Sequence, residues 1–159
     1  MTRRTSSSTE PLALPFTVRR VESAADADEF ARIVCTGFDL AEAFRGVVHG
    51  LAKKPNWHLF MTFEGDTPIG TGGLHVLGNL GWFDFGATDP DHRMRGSQRT
   101  LMAVRLRHAA AQGCRTLITA TGEAVEGDPQ HSYGNITRAG FRPVYTRENY
   151  GPPRRGSSQ

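Results

Sequence analysis

Apolar and polar residues alternate with the period of a strand in some segments of this chain and recur at helical spacing in others. Short alternating runs rich in β-branched and aromatic residues predict strands, and amphipathic runs that end at glycine predict helices. The predicted strands cover residues 16–21, 57–63, 69–77, 80–87, 116–120 and 141–150. The predicted helices are one that is capped by Ser23 and ends at Gly37, one over residues 40–52, one that ends near Gly113, and one that is capped by Ser132 and ends at Gly140.

The order of these segments is strand, two helices, three antiparallel strands, helix, strand, helix, strand. The order predicts a sheet that is mainly antiparallel at its centre, with helices before and after those strands. Gly70, Gly72 and Gly73 interrupt the strand over residues 69–77. They indicate a bulge or a close approach of another part of the backbone.

A chain of 159 residues fits one domain, which we place at residues 16–150. Residues 1–15 and 151–159 contain little to bury and are expected to form disordered tails. No apolar run has the length of a membrane span or a signal peptide, so we expect a cytoplasmic protein with no membrane partner. Cys35 and Cys114 are too few for a disulfide framework and have no metal-ligand spacing, so no metal site is expected.

The net charge of +3 belongs to the tails, because residues 16–150 hold 15 basic and 15 acidic residues. A domain that binds nucleic acid would carry its basic excess on the folded surface, so a nucleic-acid or protein-binding module with basic tails is disfavoured. Within the neutral domain, five arginines lie between Arg93 and Arg107, and no carboxylate lies between His92 and Gln112. Such a focused positive patch suits a small phosphorylated ligand.

A loop over residues 93–98 joins a predicted strand to a predicted helix within this patch. Gly96 lets the backbone approach a ligand, and the unpaired N–H groups of the first helical turn favour an anion. The loop lacks the Gly-Lys-Ser/Thr ending of a Walker A motif and the three spaced glycines of a Rossmann motif. The pattern therefore indicates a diphosphate site of another type.

Arg93-x-x-Gly96-x-Gln98 resembles the acyl-coenzyme A loop of the GCN5-related N-acetyltransferase (GNAT) superfamily, which reads Gln/Arg-x-x-Gly-x-Gly/Ala. Gln98 departs from that pattern, so its side chain is expected to point away from the diphosphate. Residues 132–141 resemble a second segment of the superfamily, a helix that ends at a Gly-Phe pair and leads into the last strand. The resemblance implies a single acyltransferase domain of the α+β class with α/β/α layers. Its sheet would be mixed, mainly antiparallel, splayed open beside its central strands and flanked by helices.

The resemblance further implies that acetyl-CoA is the cosubstrate and that its acetyl group passes to a primary amine by direct attack within a ternary complex. Backbone amides and arginines of the loop would hold the diphosphate, and the splayed strand would hold the pantetheine. The implied acyl-CoA residues are Ala87, Thr88, Arg93, Met94, Arg95, Gly96, Ser97, Gln98, Arg99 and Asn135. An inactive domain that senses acyl-CoA is the alternative, and a homodimer is compatible with either.

Four residues are candidates for moving protons. Asp84, flanked by phenylalanines, and Glu123 are candidate bases, and burial would suit Asp84 to that role by raising its pKa. The superfamily often places an acidic Tyr four residues before the Gly-Phe glycine, where this chain has Ile136. Tyr133 and Tyr145 are the substitutes, although each is equally explained as a residue at the edge of the core.

Three further features leave alternatives open. His75 could relay protons or be structural, and Ser132 could donate a proton or only cap a helix. The acidic loop that holds Glu126 could attract a cationic acceptor or simply be solvated. Three aromatic residues could line an acceptor pocket or belong to the core; they are Trp57, Trp82 and Phe85.

Overall fold

The computed structural model describes residues 1–4, 15–122, 126 and 130–148. It contains one six-stranded sheet with the order β1-β6-β5-β4-β3-β2. The strands are β1 Thr2–Arg4, β2 Thr17–Arg20, β3 Trp57–Glu64, β4 Thr67–Leu77, β5 Leu80–Thr88 and β6 Thr116–Thr119. The helices are α1 Ala24–Phe38, α2 Ala43–Gly50, α3 Ser97–Ala111 and α4 His131–Arg138, with short 3₁₀ turns at Leu51–Lys53 and Pro90–His92. β5 and β6 are parallel, and every other pair is antiparallel.

Helix α1 begins where the sequence predicts. The Ser23 hydroxyl accepts a hydrogen bond from the N–H of Asp26 at 3.0 Å, and the Asp26 carboxylate accepts from the N–H of Ser23 at 3.1 Å. This capping box satisfies backbone donors that the helix itself leaves unpaired. Asp39 ends the helix in a left-handed conformation, with φ of 52°.

Separate apolar cores cover the two faces of the sheet, so the α/β/α layering of an α+β fold is confirmed. The core under α1 and α2 consists of Val21, Ala27, Phe30, Ala31, Val34, Val48, Leu59, Met61 and Phe63. The core under α3 and α4 consists of Leu74, Phe83, Met102, Ala109, Cys114, Leu117, Ile136 and Phe141. Each large side chain buried in this way contributes about 1.5–3 kcal/mol to folding.

The sheet splays open between β5 and β6, as the resemblance implies. Their pairing ends at Phe83 opposite Thr119, although β5 continues to Thr88. On its other edge β5 is bulged, because Gly73 lies opposite Asp84 whereas Thr71 lies opposite Ala87. The bulge predicted in β4 lies in its pairing with β3, where Thr62 is opposite Gly70 and Phe63 is opposite Pro68.

The prediction that residues 1–15 form a disordered tail is wrong for Thr2–Arg4. This segment pairs antiparallel with β6, and Thr2 also exchanges backbone hydrogen bonds of 2.9 and 2.8 Å with Arg142. Pairing at a sheet edge uses backbone groups, so it does not require the apolar alternation that the sequence lacks here. Residues 5–14, and the predicted tail over 151–159, lie outside the described residues.

The C-terminal predictions need two corrections. The sequence predicts a strand over residues 141–150, but the described part of it, residues 141–148, forms only an isolated bridge at Arg142, because β1 occupies the place beside β6 and Pro143 has no N–H to donate. Ser132 does not cap α4, which begins one residue earlier with Gln130 as its N-cap.

Cys35 and Cys114 are buried and form no disulfide. The described part of the chain contains no helix with the length and apolar character needed to cross a membrane. It also holds no group of three or more His, Cys, Asp or Glu residues placed to bind a metal ion.

Candidate active site

A cleft of about 730 Å³ opens where β5 and β6 diverge. Its walls come from the exposed backbone of the two strands, the end of α1, the loop and first turn of α3, and one face of α4. A volume of this order is typical of sites for small molecules and cofactors. The residues predicted to bind acyl-CoA that line it are Ala87, Thr88, Arg93, Met94, Gly96, Ser97, Gln98, Arg99 and Asn135.

The first turn of α3 presents backbone N–H groups to this cleft. Gly96 is the N-cap with φ of 97°, a left-handed conformation that glycine adopts without strain, and no side chain caps the turn. The turn contains no acidic residue. These N–H groups and the positive end of the helix dipole together form a site suited to an anion such as a diphosphate.

Gly70 allows this end of α3 to lie against the sheet. A Cβ at Gly70 would approach the Ser97 Oγ to 2.1 Å and the Thr62 Oγ1 to 2.7 Å. Those two hydroxyls share a buried hydrogen bond of 2.7 Å. A side chain at position 70 would therefore push the first turn of α3 away from β3 and β4.

The Gln98 side chain lies against β4 and β5. Its Nε2 donates to the carbonyl of Ala87 at 2.6 Å, and it also lies 3.2 Å from the carbonyl of Thr71 and 3.1 Å from the Thr88 hydroxyl. Gln98 thus fastens the first turn of α3 to both strands beside the bulge.

Charge in the cleft is strongly positive. Four arginines line it, and among the described lining residues Asp84 is the sole carboxylate; the arginines are Arg93, Arg99, Arg105 and Arg138. Arg95 does not line the cleft, because its Nη1 donates to both oxygens of Glu64 at 3.1 and 3.2 Å. Arg95 therefore holds the loop in place rather than facing the ligand.

Asp84 lies at the start of the splay, one residue beyond the last β5–β6 pair. Burial raises the pKa of its carboxyl, and the opposing effects of the Phe85 N–H and the Arg105 guanidinium are smaller. The Phe85 N–H donates to Asp84 Oδ1 at 2.8 Å. A half-buried carboxylate with a raised pKa is a stronger base than an exposed one, so this site can accept a proton.

Arg105 is a site residue that the sequence reasoning did not single out. Its guanidinium is buried, donates to the carbonyls of Gly73 at 3.2 Å and Asp84 at 3.3 Å, and lies over the Phe83 ring. Burial lowers its pKa to about 10, and Asp84 opposes that effect. Its helical register with the buried residues Leu101 and Ala109 was the signal available in the sequence.

Among the other proton-transfer candidates, Ser132 lines the cleft, whereas Tyr133 and Tyr145 do not. Tyr133 is absent from the lining residues, and Tyr145 is 77% exposed and lies outside any strand. Ile136 is buried and lines the cleft. Asn135 lines it as well, and its Oδ1 accepts from Arg138 Nη1 at 2.8 Å. Glu123 lies outside the described residues, so its assignment as a base stays a prediction.

Four aromatic rings meet on the face of the sheet that carries α1 and α2. The Trp57 ring stacks on His75 with centroids 4.9 Å apart and also contacts Trp82 at 6.0 Å and Phe85 at 5.5 Å. Trp57 and Phe85 pack against the adjoining core, whereas Trp82 is 39% exposed. The core interpretation is therefore confirmed for Trp57 and Phe85, and the acceptor-pocket interpretation stays a prediction.

Solved structures with the same fold include several acetyltransferases. An aminoglycoside acetyltransferase from an uncultured soil metagenomic sample is 15% identical, with a TM-score of 0.68 over 87% of this chain and 99% of that one. A GCN5-related N-acetyltransferase from Ralstonia eutropha is 16% identical, with a TM-score of 0.68 over 85% and 97%. A predicted acetyltransferase with acetyl-CoA from Clostridium acetobutylicum is 10% identical, with a TM-score of 0.68 over 84% and 96%.

No curated protein matches the chain at a significant level. The family model for acetyltransferases of the GNAT family matches residues 24–141. That match runs from the first residue of α1, across the cleft, to the Phe that follows α4, and acetyl-CoA is the cosubstrate that such acetyltransferases use. The chain therefore belongs to the acetyltransferase (GNAT) family.

Proposed function

We propose that this protein transfers an acetyl group from acetyl-CoA to a primary amine by direct attack within a ternary complex. The observation that carries the proposal is that one cleft, at the splay of the sheet, combines two features. It contains the start of α3, which no side chain caps and which arginines surround, and it contains the Asp84 carboxylate, whose pKa is raised. The first feature is suited to the diphosphate of the cosubstrate and the second to the proton of the acceptor.

Two elements would bind acetyl-CoA, α3 through its diphosphate and β5 through its pantetheine. Backbone N–H groups over residues 94–99 would hold the diphosphate, with Arg93 and Arg99 adding charge from the cleft wall. Residues 84–88 have no β6 partner, so outward backbone groups of β5 can pair with the extended pantetheine as a further strand would. Ala87 already uses its N–H with Thr71 and its carbonyl with Gln98, so Thr88 is the better candidate for this pairing.

In the chemical step the neutral amine nitrogen would attack the thioester carbonyl carbon. A C–N bond forms, the C–S bond breaks, and Asp84 receives the proton that the nitrogen loses. A thiol has a pKa of about 8.5, so its thiolate leaves readily and can take its proton from water. Turnover therefore does not require a tyrosine at the position of Ile136.

An acyl-CoA sensor without turnover is the second candidate. The observation that favours it is the combination of a buried Ile136 with the lack of any tyrosine among the described residues that line the cleft. The two candidates share the binding site and differ only in thiol release, so one pair of measurements separates them.

Isothermal titration of acetyl-CoA into the wild type, Gly96→Trp and Gly113→Trp tests the site. Gly113 also has a positive φ, at the opposite end of α3, and a Cβ placed there would meet no atom within 4 Å. Gly113→Trp therefore imposes the same kind of strain as Gly96→Trp, a side chain on a residue with positive φ, but places that side chain outside the cleft.

We expect Gly96→Trp alone to lose binding, because its side chain enters the site where the diphosphate would lie. Thiol release with a panel of amines then identifies an enzyme, and binding without release identifies a sensor. Failure of the wild type to bind acetyl-CoA, or equal loss in both variants, would contradict the proposed site.

A further inference from the structure

The aromatic rings beside the cleft form an ordered row across three strands. Trp57, His75 and Trp82 are direct cross-strand neighbours in the β3–β4–β5 register. Side chains that are paired in this way project from the same face of a sheet. The row therefore presents one surface of adjoining rings, which stands on rigid strands rather than on a loop.

The β5 bulge adds Phe85 to this row. In a regular strand, residues 82 and 85 would project from opposite faces, because side chains alternate. Phe85 instead has φ of 51°, and its ring lies 5.5 Å from that of Trp57. A positive φ is unfavourable for a phenylalanine. The contact with Trp57 and the bond from the Thr71 hydroxyl to the Phe85 carbonyl, of 2.9 Å, hold it there.

Asp84 projects from the same face as the row. It is paired with Gly73, and a Cβ built on Gly73 would lie 3.2 Å from the Trp57 ring. Because Gly73 has no side chain, nothing on β4 stands between the Asp84 carboxylate and the rings. The one carboxylate among the described cleft-lining residues is thus next to the aromatic row.

Helices α1 and α2 cover part of this face, and Trp57 and Phe85 pack against their core. A Cβ on Gly37 would lie 2.8 Å from that of Ala87, so the end of α1 is packed on β5 beyond Asp84. Phe38, the last residue of α1, lines the cleft and is 49% exposed. The row itself keeps solvent access at Trp82. An apolar molecule could therefore lie on the rings and reach the splay.

We propose that the acceptor is a monoamine carried on a flat aromatic group, which rests on Trp82 and Trp57 while its nitrogen faces Asp84. This rests on the proposed acetyl transfer and names its substrate class. Aromatic rings bind other rings through offset-stacked and edge-to-face contacts. One carboxylate balances one ammonium group, whereas four arginines in the cleft would repel a polycation.

Acceptor selectivity in the wild type is the first test. With acetyl-CoA saturating, thiol release is followed with 2-phenylethylamine, tryptamine, 2-cyclohexylethylamine, spermidine and kanamycin. We expect kcat/KM for the two aryl amines to exceed that for the cyclohexyl amine by about fivefold and that for the polycations by more.

Three variants then locate the effect. Trp82→Ala should lower kcat/KM for 2-phenylethylamine about fivefold more than for the cyclohexyl amine, mainly through KM, and leave the Kd of acetyl-CoA nearly unchanged. Trp82→Phe should restore most of the loss. Leu77→Ala removes another exposed apolar side chain, from the adjoining strand, and should have no effect.

A binding measurement needs no turnover. The chain has two tryptophans, and both belong to the row. Intrinsic fluorescence should therefore change saturably as 2-phenylethylamine is added to the CoA complex, and Trp82→Phe should reduce that change.

Equal rates for aryl and cyclohexyl amines, preference for a polycation, or no saturable fluorescence change would overturn the substrate class. If acetyl-CoA still binds and other amines release thiol, the proposed acetyl transfer survives that result. Loss of acetyl-CoA binding would instead refute the proposed function itself.

Discussion

Asp84 acquires its chemistry from its position rather than from its residue type. It lies just beyond the last β5–β6 pair, where it lines the cleft, and its burial there raises the pKa of its carboxyl. Arg105 opposes the shift, but its guanidinium hydrogens point at backbone carbonyls rather than at the carboxylate. The carboxylate is therefore left as a base and not neutralised by an ion pair.

Asp84→Asn should lower kcat about a hundredfold and at the same time raise thermal stability at neutral pH. The folded-state pKa of Asp84 is raised, so the folded protein binds this proton more tightly than the unfolded chain, and ionisation above that pKa costs stability. Asparagine keeps an oxygen for the Phe85 N–H and removes the buried charge.

Paired kcat measurements and thermal melts check this expectation. Asp66→Asn is the control, because that carboxylate is fully exposed and makes only a long contact of 3.4 Å with Arg19. The wild-type rate should also increase as pH rises through the Asp84 pKa. An unchanged kcat in Asp84→Asn would exclude this residue as the base.

At the level of elements, the site depends on how closely α3 approaches the sheet. Three contacts set that distance: the absent side chain of Gly70, the buried Ser97–Thr62 hydrogen bond and the Gln98 amide on the β5 backbone. Arg95 and His92 add contacts to Glu64 at the end of β3. The anion site is thus a property of the α3–sheet junction as a whole.

Gly70→Ala should destabilise the fold by about 2–3 kcal/mol and weaken acetyl-CoA binding, because the new methyl group overlaps Ser97 and Thr62. Gly46→Ala in α2 is the matched control, since a Cβ there meets no atom within 4 Å. Alanine in a helix is favoured over glycine, so the control should gain about 0.5–1 kcal/mol. Urea unfolding and calorimetric titration of acetyl-CoA measure both effects, and equal stability of the two variants would contradict the packing argument.

For the whole molecule, the sequence predicted those parts of the fold that rest on local signals. Apolar alternation, the Ser23 cap and the glycine loop before α3 are of this kind. The strand Thr2–Arg4 could not be predicted, because a short polar edge strand is selected by the open edge of β6 and not by its own residues. The same edge explains why the strand predicted to follow α4 does not form in the described residues. Its residues favour a strand, but β1 already occupies the edge of β6 with which they would pair.

The sequence predicted the part of the site that is formed by the loop motif over residues 93–98. Gly96 and its neighbours line the cleft, whereas Arg95 is directed to Glu64 by a contact that is distant in sequence. Arg105 was missed because its role depends on a pair of carbonyls exposed by a bulge in β5 and on the absence of a side chain at Gly72. Such properties come from the register of strands, which a single sequence does not fix.

A second titratable cluster lies on the α3 face of the sheet. The rings of His58 and His108 lie 4.5 Å apart, and Arg20 Nη2 is 3.1 Å from His58 Nδ1. Burial, His108 and Arg20 lower the pKa of His58 to about 4, and burial and Arg20 lower that of His108. Neither ring gains a carboxylate partner in these contacts.

The free energy of unfolding should therefore fall as pH decreases from about 6.5 towards 4. Both histidines bind protons more readily in the unfolded chain, so stability is present above the unfolded pKa of about 6.5 and is lost until the folded His58 is also protonated. We expect His58 to account for about 2 kcal/mol of that loss, allowing for partial solvent screening.

Urea unfolding of the wild type and His58→Gln at a series of pH values measures this loss, with His131→Gln as an exposed control on α4. A flatter profile for His58→Gln alone is the expected outcome, and three parallel profiles would show that the cluster does not govern acid stability.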